Sequence, residues 1–267
     1  MRVRERFREL MERGDAALIP FVMAGDPSID ATVRIAEVLG RSGADMIELG
    51  LCFSDPIADG PTIQAASERA LEAGVTPDVY FRIAREVSDA VSVPLIALTY
   101  YNMVIRKGIS RFLQSCVKSG ISGVIVPDLP VDEADDFRSA AGRCSIDTIF
   151  LAAPTSDRSR LKKIVNASTG FVYLVSVLGV TGARRTVSRE AGGLIKMVKS
   201  IESEVPVAVG FGVSSPRHVL ELTRMGADGV IVGSALIDII SKYMKNEDVM
   251  LAEVGRYIRA MSGAAKT

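Results

Sequence analysis

The 267-residue sequence predicts an α/β chain folded as a (β/α)8 barrel with an extra N-terminal helix, on three observations. Short apolar runs recur eight times from one end of the chain to the other. Stretches with helical spacing separate them. The runs are continuous rather than alternating, as in parallel strands covered on both faces. Eight strand–helix units in roughly 240 residues fit a barrel of this kind. The main rival, a doubly wound open sheet, usually carries a glycine-rich turn after its first strand, and "MAGDPS" (23–28) has a single glycine. No Pro/Ser-rich linker or shift of composition divides the chain, so 1–267 reads as one domain.

Taken in order, residues 2–13 form a charged amphipathic helix ahead of the first strand. They contain no apolar h-region, which argues against a signal peptide. The strand runs are "ALIPFVMAG" (17–25), "DMIELG" (45–50), "VPLIALTYYN" (93–102), "GVIVPD" (123–128), "DTIFLAAP" (147–154), "GFVYLVS" (170–176), "VPVAVGFG" (205–212) and "DGVIVGS" (228–234). Each is rich in Val, Ile, Leu or aromatic residues and ends in a turn former. Between the first two lies "SIDATVRIAEVLGRSGA" (28–44), with Val33, Ile35, Ala36 and Leu39 on one stripe. Residues 109–120, 132–144, 158–168, 189–204 and 215–227 repeat the pattern, several closing on a glycine as helix ends often do.

Composition narrows the function. Lys+Arg and Asp+Glu are both 32, so the formal net charge is zero, against a general affinity for nucleic acid or anionic membrane. No apolar run reaches the ~18–20 residues that span a bilayer. The three cysteines are scattered and read as small buried hydrophobes in a reducing compartment, which points to the cytoplasm. The sole histidine, His218, lies in a helical stretch, which argues against a Ser-His-Asp triad and a His-rich metal site. Lys162, Lys163, Lys196 and Lys199 fall on helical stretches and no strand run holds a lysine, against a Schiff-base aldolase.

Two carboxylates remain. Glu48 interrupts the core-like run "MIELG", and alternation turns it inward if Ile47 and Leu49 face the helices. A buried carboxylate costs several kcal/mol unless it has a partner or a task, and no other strand interior offers a Lys or Arg. Asp55 and Asp59 follow in "SDPIADGP". Asp is a standard turn former there, but a strand end and its own loop can place two carboxylates around one pocket. At the same end, "GVTGAR" (179–184), "GFGVSSP" (210–216) and "GSALIDII" (233–240) form glycine-rich turns on three successive loops, where barrels often bind phosphate at a helix N-terminus. This pattern indicates metal-free acid–base chemistry by carboxylates on a phosphorylated substrate. "SDPIADG" (54–60) and "GVTGARRTVSREAGG" (179–193) read as mobile loops able to cover the site. A sugar-phosphate epimerase or isomerase would share the phosphate loops but leave Glu48 unexplained. A non-catalytic, partner-activating barrel would have no need of both carboxylates.

These motifs carry a resemblance. "PFVMAGDPS" (20–28), "IELGLCFSDPIADGPTIQ" (47–64), "YLVSVLGVTGAR" (173–184), "GFGVSSP" and "GVIVGSALI" make the chain similar, essentially end to end, to the tryptophan synthase alpha subunits. The resemblance implies a TIM barrel that splits indole-3-glycerol phosphate into indole and glyceraldehyde 3-phosphate, without metal or organic cofactor in this subunit. It implies Glu48 and Asp59 as the catalytic pair and Phe21, Leu98, Leu151 and Tyr173 as pocket residues. Thr181 would touch Asp59 on closure. Gly182, Gly212, Gly233 and Ser234 would hold the phosphate. It further implies a pyridoxal-phosphate β subunit as partner in an α2β2 tetramer, met through Asp55, Pro56 and Asn102. The sequence departs from a frequent "GVPFSD" pattern at Leu51 and Cys52, which leaves the acid–base groups in place.

Overall fold

A computed structural model describes residues 2–176, 187–201, 204–210 and 212–266. Eight parallel strands close into a barrel in sequence order, β8 pairing back onto β1. They are β1 (Ala17–Met23), β2 (Ile47–Gly50), β3 (Leu95–Leu98), β4 (Ile121–Ile125), β5 (Asp147–Ala152), β6 (Val172–Val175), β7 (Val207–Gly210) and β8 (Gly229–Val232). Each falls within a predicted run or overlaps it.

The helices are α1 (Val3–Arg13), α2 (Ile29–Arg41), α3 (Pro61–Glu72), α4 (Pro77–Ala90), α5 (Tyr101–Lys107), α6 (Ile109–Lys118), α7 (Asp135–Arg143), α8 (Arg158–Ala167), α9 (Val187–Lys199), α10 (Pro216–Arg224), α11 (Ser234–Tyr243) and α12 (Glu247–Ala265). Sequence chemistry sets many of their starts. Ser28, Thr76, Asp157 and Asn246 each accept a hydrogen bond from an amide of the first turn of α2, α4, α8 and α12. Pro61, Pro77 and Pro216 occupy first helical positions, where the missing N–H costs nothing. One expectation needs correcting. The loop read over 179–193 overlapped the helical pattern read from residue 189, and the helix prevails from Val187 onward, because "VSREAGGLIKMVK" carries the apolar stripe of Ala191, Leu194, Ile195 and Val198; residues 179–186 of that loop lie outside the described residues. None of the helices is long and apolar enough to cross a membrane among the described residues.

The side chains fall into two layers. Leu18, Val22, Ile47, Leu49, Val124, Val172, Val209 and Val230 face outward and pack under the helices. Ala17, Ile19, Ile96, Ile125, Ile149, Phe171, Ala208 and Ile231 fill the barrel itself. Helix α1 closes the N-terminal mouth by adding Val3, Phe7 and Leu10 to that inner layer, with the Phe7 and Phe171 ring centroids 5.4 Å apart. Two ion pairs onto buried aspartates fasten it to the strand starts, Arg2 to Asp147 and Arg6 to Asp45, both at 2.7 Å. Helix α1 thus covers the N-terminal mouth and leaves the strands' C-terminal ends as the other mouth.

Candidate active site

Glu48 lies in β2 level with Phe21 of β1 and Ile96 of β3, so its inward-facing carboxyl is flanked by apolar side chains. It is 1% exposed, and its Oε2 has no hydrogen-bond partner among the described residues. Burial, and secondarily the charge of Asp59, push its pKa up to about 8. The predicted inward carboxylate is therefore present and carries no cationic partner among the described residues. Near neutral pH it holds its proton, which suits a general acid.

Asp59 stands in the loop between β2 and α3. The N–H of Asp59 donates to the Pro56 carbonyl at 3.2 Å, and the Gln64 side chain donates to the Asp59 carbonyl at 2.8 Å. Gly60 then caps α3, which places Asp59 beside a helix N-terminus, where a negative charge is favoured. Burial raises the pKa of its carboxyl, and a hydrogen bond from the Tyr100 hydroxyl opposes that rise. Tyr100, just beyond β3, also accepts a hydrogen bond from the Ala58 N–H at 3.1 Å. Sequence reasoning passed over Tyr100. The available signal was parity, since Tyr100 follows the inward Leu98 by two positions.

The four expected pocket residues line the inner face toward the open mouth. Leu98, Leu151 and Tyr173 pack on the upper edge of the inner apolar layer. Phe21 is 5% exposed and occupies space that only a glycine leaves, because a Cβ on Gly50 would stand 2.8 Å from its Cζ. Tyr173 uses the same device, a Cβ on Gly210 coming within 2.6 Å of its ring. The charges of Glu48 and Asp59 both act on the Tyr173 hydroxyl, behind its burial, and raise its pKa well above the ordinary value. Both carboxylates thus lie close enough to the Tyr173 hydroxyl to act on it.

Of the positions expected to hold phosphate, Gly212 follows β7 with φ of +62°, a left-handed conformation that favours glycine. Gly233 and Ser234 begin α11 immediately after β8. The first amides of a helix lack partners within it and face outward with the positive end of its dipole, so an anion fits there. Thr181 and Gly182 lie outside the described residues. Asp55 and Asn102 are exposed on the rim and Pro56 is half-buried there. His218 sits in the first turn of α10, where its Nδ1 accepts from the Ser214 N–H at 3.4 Å.

The chain matches the family model described as tryptophan synthase alpha chain over residues 7–266. It belongs to the tryptophan synthase alpha chain family. The Methanoregula boonei tryptophan synthase alpha chain is 47% identical over 255 residues, spanning 96% of each protein. That of Gloeobacter violaceus is 42% identical and spans 100% of this chain and 95% of its own length. Among solved structures, one of Mycobacterium tuberculosis tryptophan synthase superposes with a TM-score of 0.91 at 36% identity, covering 100% of this chain and 98% of that one. A chain from the tryptophan synthase α2β2 complex of Pyrococcus furiosus superposes with a TM-score of 0.86 at 42% identity, covering 93% and 98%. The alpha-chain barrel and its extra N-terminal helix are those described above.

Proposed function

We propose that this alpha chain cleaves indole-3-glycerol phosphate by a retro-aldol step in the open mouth of its barrel, with Glu48 and Asp59 moving or balancing the charge. Family membership supports the reaction. The observation that supports the site is a buried Glu48 with one oxygen unpartnered among the described residues, its pKa raised by burial and by the charge of Asp59.

The scissile bond joins indole C3 to the glycerol chain, and an indole C3 carbanion is a poor leaving group. Glu48, in its acid form, protonates C3. The ring becomes an indolenine whose positive charge grows at N1, where the Asp59 carboxylate balances it. Glu48, now an anion, removes the proton from the adjacent hydroxyl of the chain. A carbonyl forms, the C–C bond breaks, and its electron pair restores the aromatic indole. Glu48 ends with its proton back. Each transfer by a placed group typically contributes ~10²–10⁴-fold. Phe21, Leu98, Leu151 and Tyr173 would hold the indole. Gly212, Gly233 and Ser234, with Gly182, would hold the phosphate and fix the reacting end. Thr181 would meet Asp59 when the loop closes. The chemistry needs no metal and no organic cofactor in this chain.

The same reading gives the chain a β subunit partner that carries pyridoxal phosphate and takes the indole, in an α2β2 assembly. Asp55, Pro56 and Asn102 would lie at that contact. The rim around them supports this, since Ile57 is 79% and Ile105 51% exposed, and large apolar groups in the open mark interaction surfaces. The three free cysteines, with no disulfide among the described residues, suit the cytoplasm.

The test of the activity is release of indole and glyceraldehyde 3-phosphate from indole-3-glycerol phosphate, with and without a β subunit. A folded chain that releases neither under either condition contradicts the reading. The contact is tested by sedimentation of the α–β mixture, where Asn102→Trp should weaken association at least about tenfold. Association indifferent to that change places the partner elsewhere.

A further inference from the structure

We infer that Ser67 is a positioning residue of this site: from the buried face of α3 it fixes Phe53, Phe53 backs Tyr100, and Tyr100 holds Asp59. The inference rests on the reading of Asp59 as a group of the active site.

Ser67 is 1% exposed, and both of its polar functions go to one residue of the catalytic loop. Its Oγ accepts a hydrogen bond from the Phe53 N–H at 3.0 Å and donates to the Phe53 carbonyl at 3.1 Å. Phe53 lies past the end of β2, where the strand ladder no longer satisfies its backbone. A hydroxyl in that place substitutes for a neighbouring strand, and it sets the direction in which the loop leaves the barrel. A residue that only completed α3 would bond within its own helix.

The next link is aromatic. The Phe53 and Tyr100 rings stack with centroids 5.2 Å apart and planes 28° apart. Tyr100 then accepts from the Ala58 N–H and reaches the Asp59 carboxylate. Helix α3 is itself a firm anchor. Two residues beyond Ser67, Arg69 makes a two-pronged contact with the buried Asp26, at 2.6 and 2.9 Å, tying α3 to the loop after β1. The loop therefore hangs between two fixed points, its own strand and Ser67. Without the Ser67 hydroxyl, the Phe53 backbone loses two hydrogen bonds and the Tyr100 ring loses the alignment of its support.

The test is titration of the Asp59 carboxyl by ¹³C-aspartate spectra of the full chain, assigned with Asp59→Asn. Of the titratable groups around Asp59, Tyr100 acts on it by its hydrogen bond, and Glu48 and Tyr173 feel its charge. Ser67→Ala should move the Asp59 midpoint upward, as Tyr100→Phe should, because the first loosens and the second removes the Tyr100 hydrogen bond that favours the anion. Ser67→Thr, which keeps the hydroxyl, should restore it. The double variant Ser67→Ala with Tyr100→Phe should shift no further than Tyr100→Phe alone. In indole release, Ser67→Ala should lower kcat about tenfold with KM changed less than about twofold, the loss of one hydrogen bond at the reacting end. If Ser67→Ala does not fold, Phe53→Leu keeps both backbone bonds, removes the stacked ring, and should give the same upward shift. An Asp59 midpoint unmoved in whichever of these variants folds overturns the positioning role. Absence of indole release from the unaltered chain would instead overturn the reading of the site, since the titration needs no substrate.

Discussion

The Tyr100 hydroxyl meets two consecutive residues of the loop after β2, accepting from the Ala58 N–H at 3.1 Å and, as a donor toward the Asp59 carboxylate, lowering its pKa. Tyr100 comes from the exit of β3, so the loop after β2 is held from the neighbouring strand. Burial drives Asp59 toward its neutral form, and Tyr100 opposes that drive.

Tyr100→Phe should therefore raise the Asp59 pKa. If Asp59 must be ionised to balance charge on the indole ring, the acid limb of the kcat/KM profile moves to higher pH. A hydrogen bond to a charged group contributes about 1.5–3 kcal/mol, so kcat should fall roughly 10- to 100-fold. A pH–rate series on both chains checks it. An acid limb that stays in place would detach Tyr100 from Asp59.

Stability should record Glu48 as well. Its folded pKa is raised, from the ordinary 4.5 to about 8. Between those values the folded chain holds a proton that the unfolded chain has released, so stability falls as pH rises through the window. Glu48→Gln cannot lose that proton. The variant should gain on the unaltered chain as pH goes from about 5 to about 9, by up to a few kcal/mol at ~1.4 kcal/mol per pKa unit. Urea melts at both pH values measure the difference. A constant gap would show that Glu48 titrates normally in the folded protein.

The proposed phosphate loops offer two glycines that are not equivalent as probes. Gly212, at φ +62°, would strain any replacement, so loss of function there would be ambiguous. Gly233 has φ of −114°, and a Cβ there would meet its nearest neighbour, Phe21 Cβ, at 3.7 Å, an ordinary contact. Gly233→Val should fold, yet place methyl groups where the anion approaches α11. KM for indole-3-glycerol phosphate should rise roughly tenfold or more, with a smaller change in kcat. Saturation kinetics check it, and an unchanged KM moves the phosphate away from α11.

The sequence made the barrel readable because each strand is a continuous apolar run and Glu48 breaks one at an inward position. Parity alone then oriented Glu48, and the structure agrees through Ile47 and Leu49 on the outer layer. Helix α3 was harder to read. "PTIQAASERALE" buries Ile63, Ala66, Ser67 and Ala70, mostly small residues that give a faint stripe. Ser67 in that setting looks like an ordinary helical serine. Its bonds to Phe53 join two segments through the fold, and no periodicity records such a contact. Tyr100 was obscured for the same reason, its partners Ala58 and Asp59 lying on another loop. The glycines of "SREAGG" suggested a loop, but the buried stripe running through Ala191 and Leu194 prevails and the segment is helical.

The most direct test of the account is indole release from indole-3-glycerol phosphate by Glu48→Gln, at a pH near 7 and beside the unaltered chain. Glutamine keeps the shape of the side chain and its fit among Phe21 and Ile96, but can neither deliver nor take a proton. A folded Gln variant, with an unshifted melting profile at that pH or a more stable one, should release indole at least ~10²-fold more slowly, the usual contribution of one placed acid–base group. Release within about twofold of the unaltered rate, from a variant shown to be folded, would contradict the assignment of Glu48 as the proton carrier.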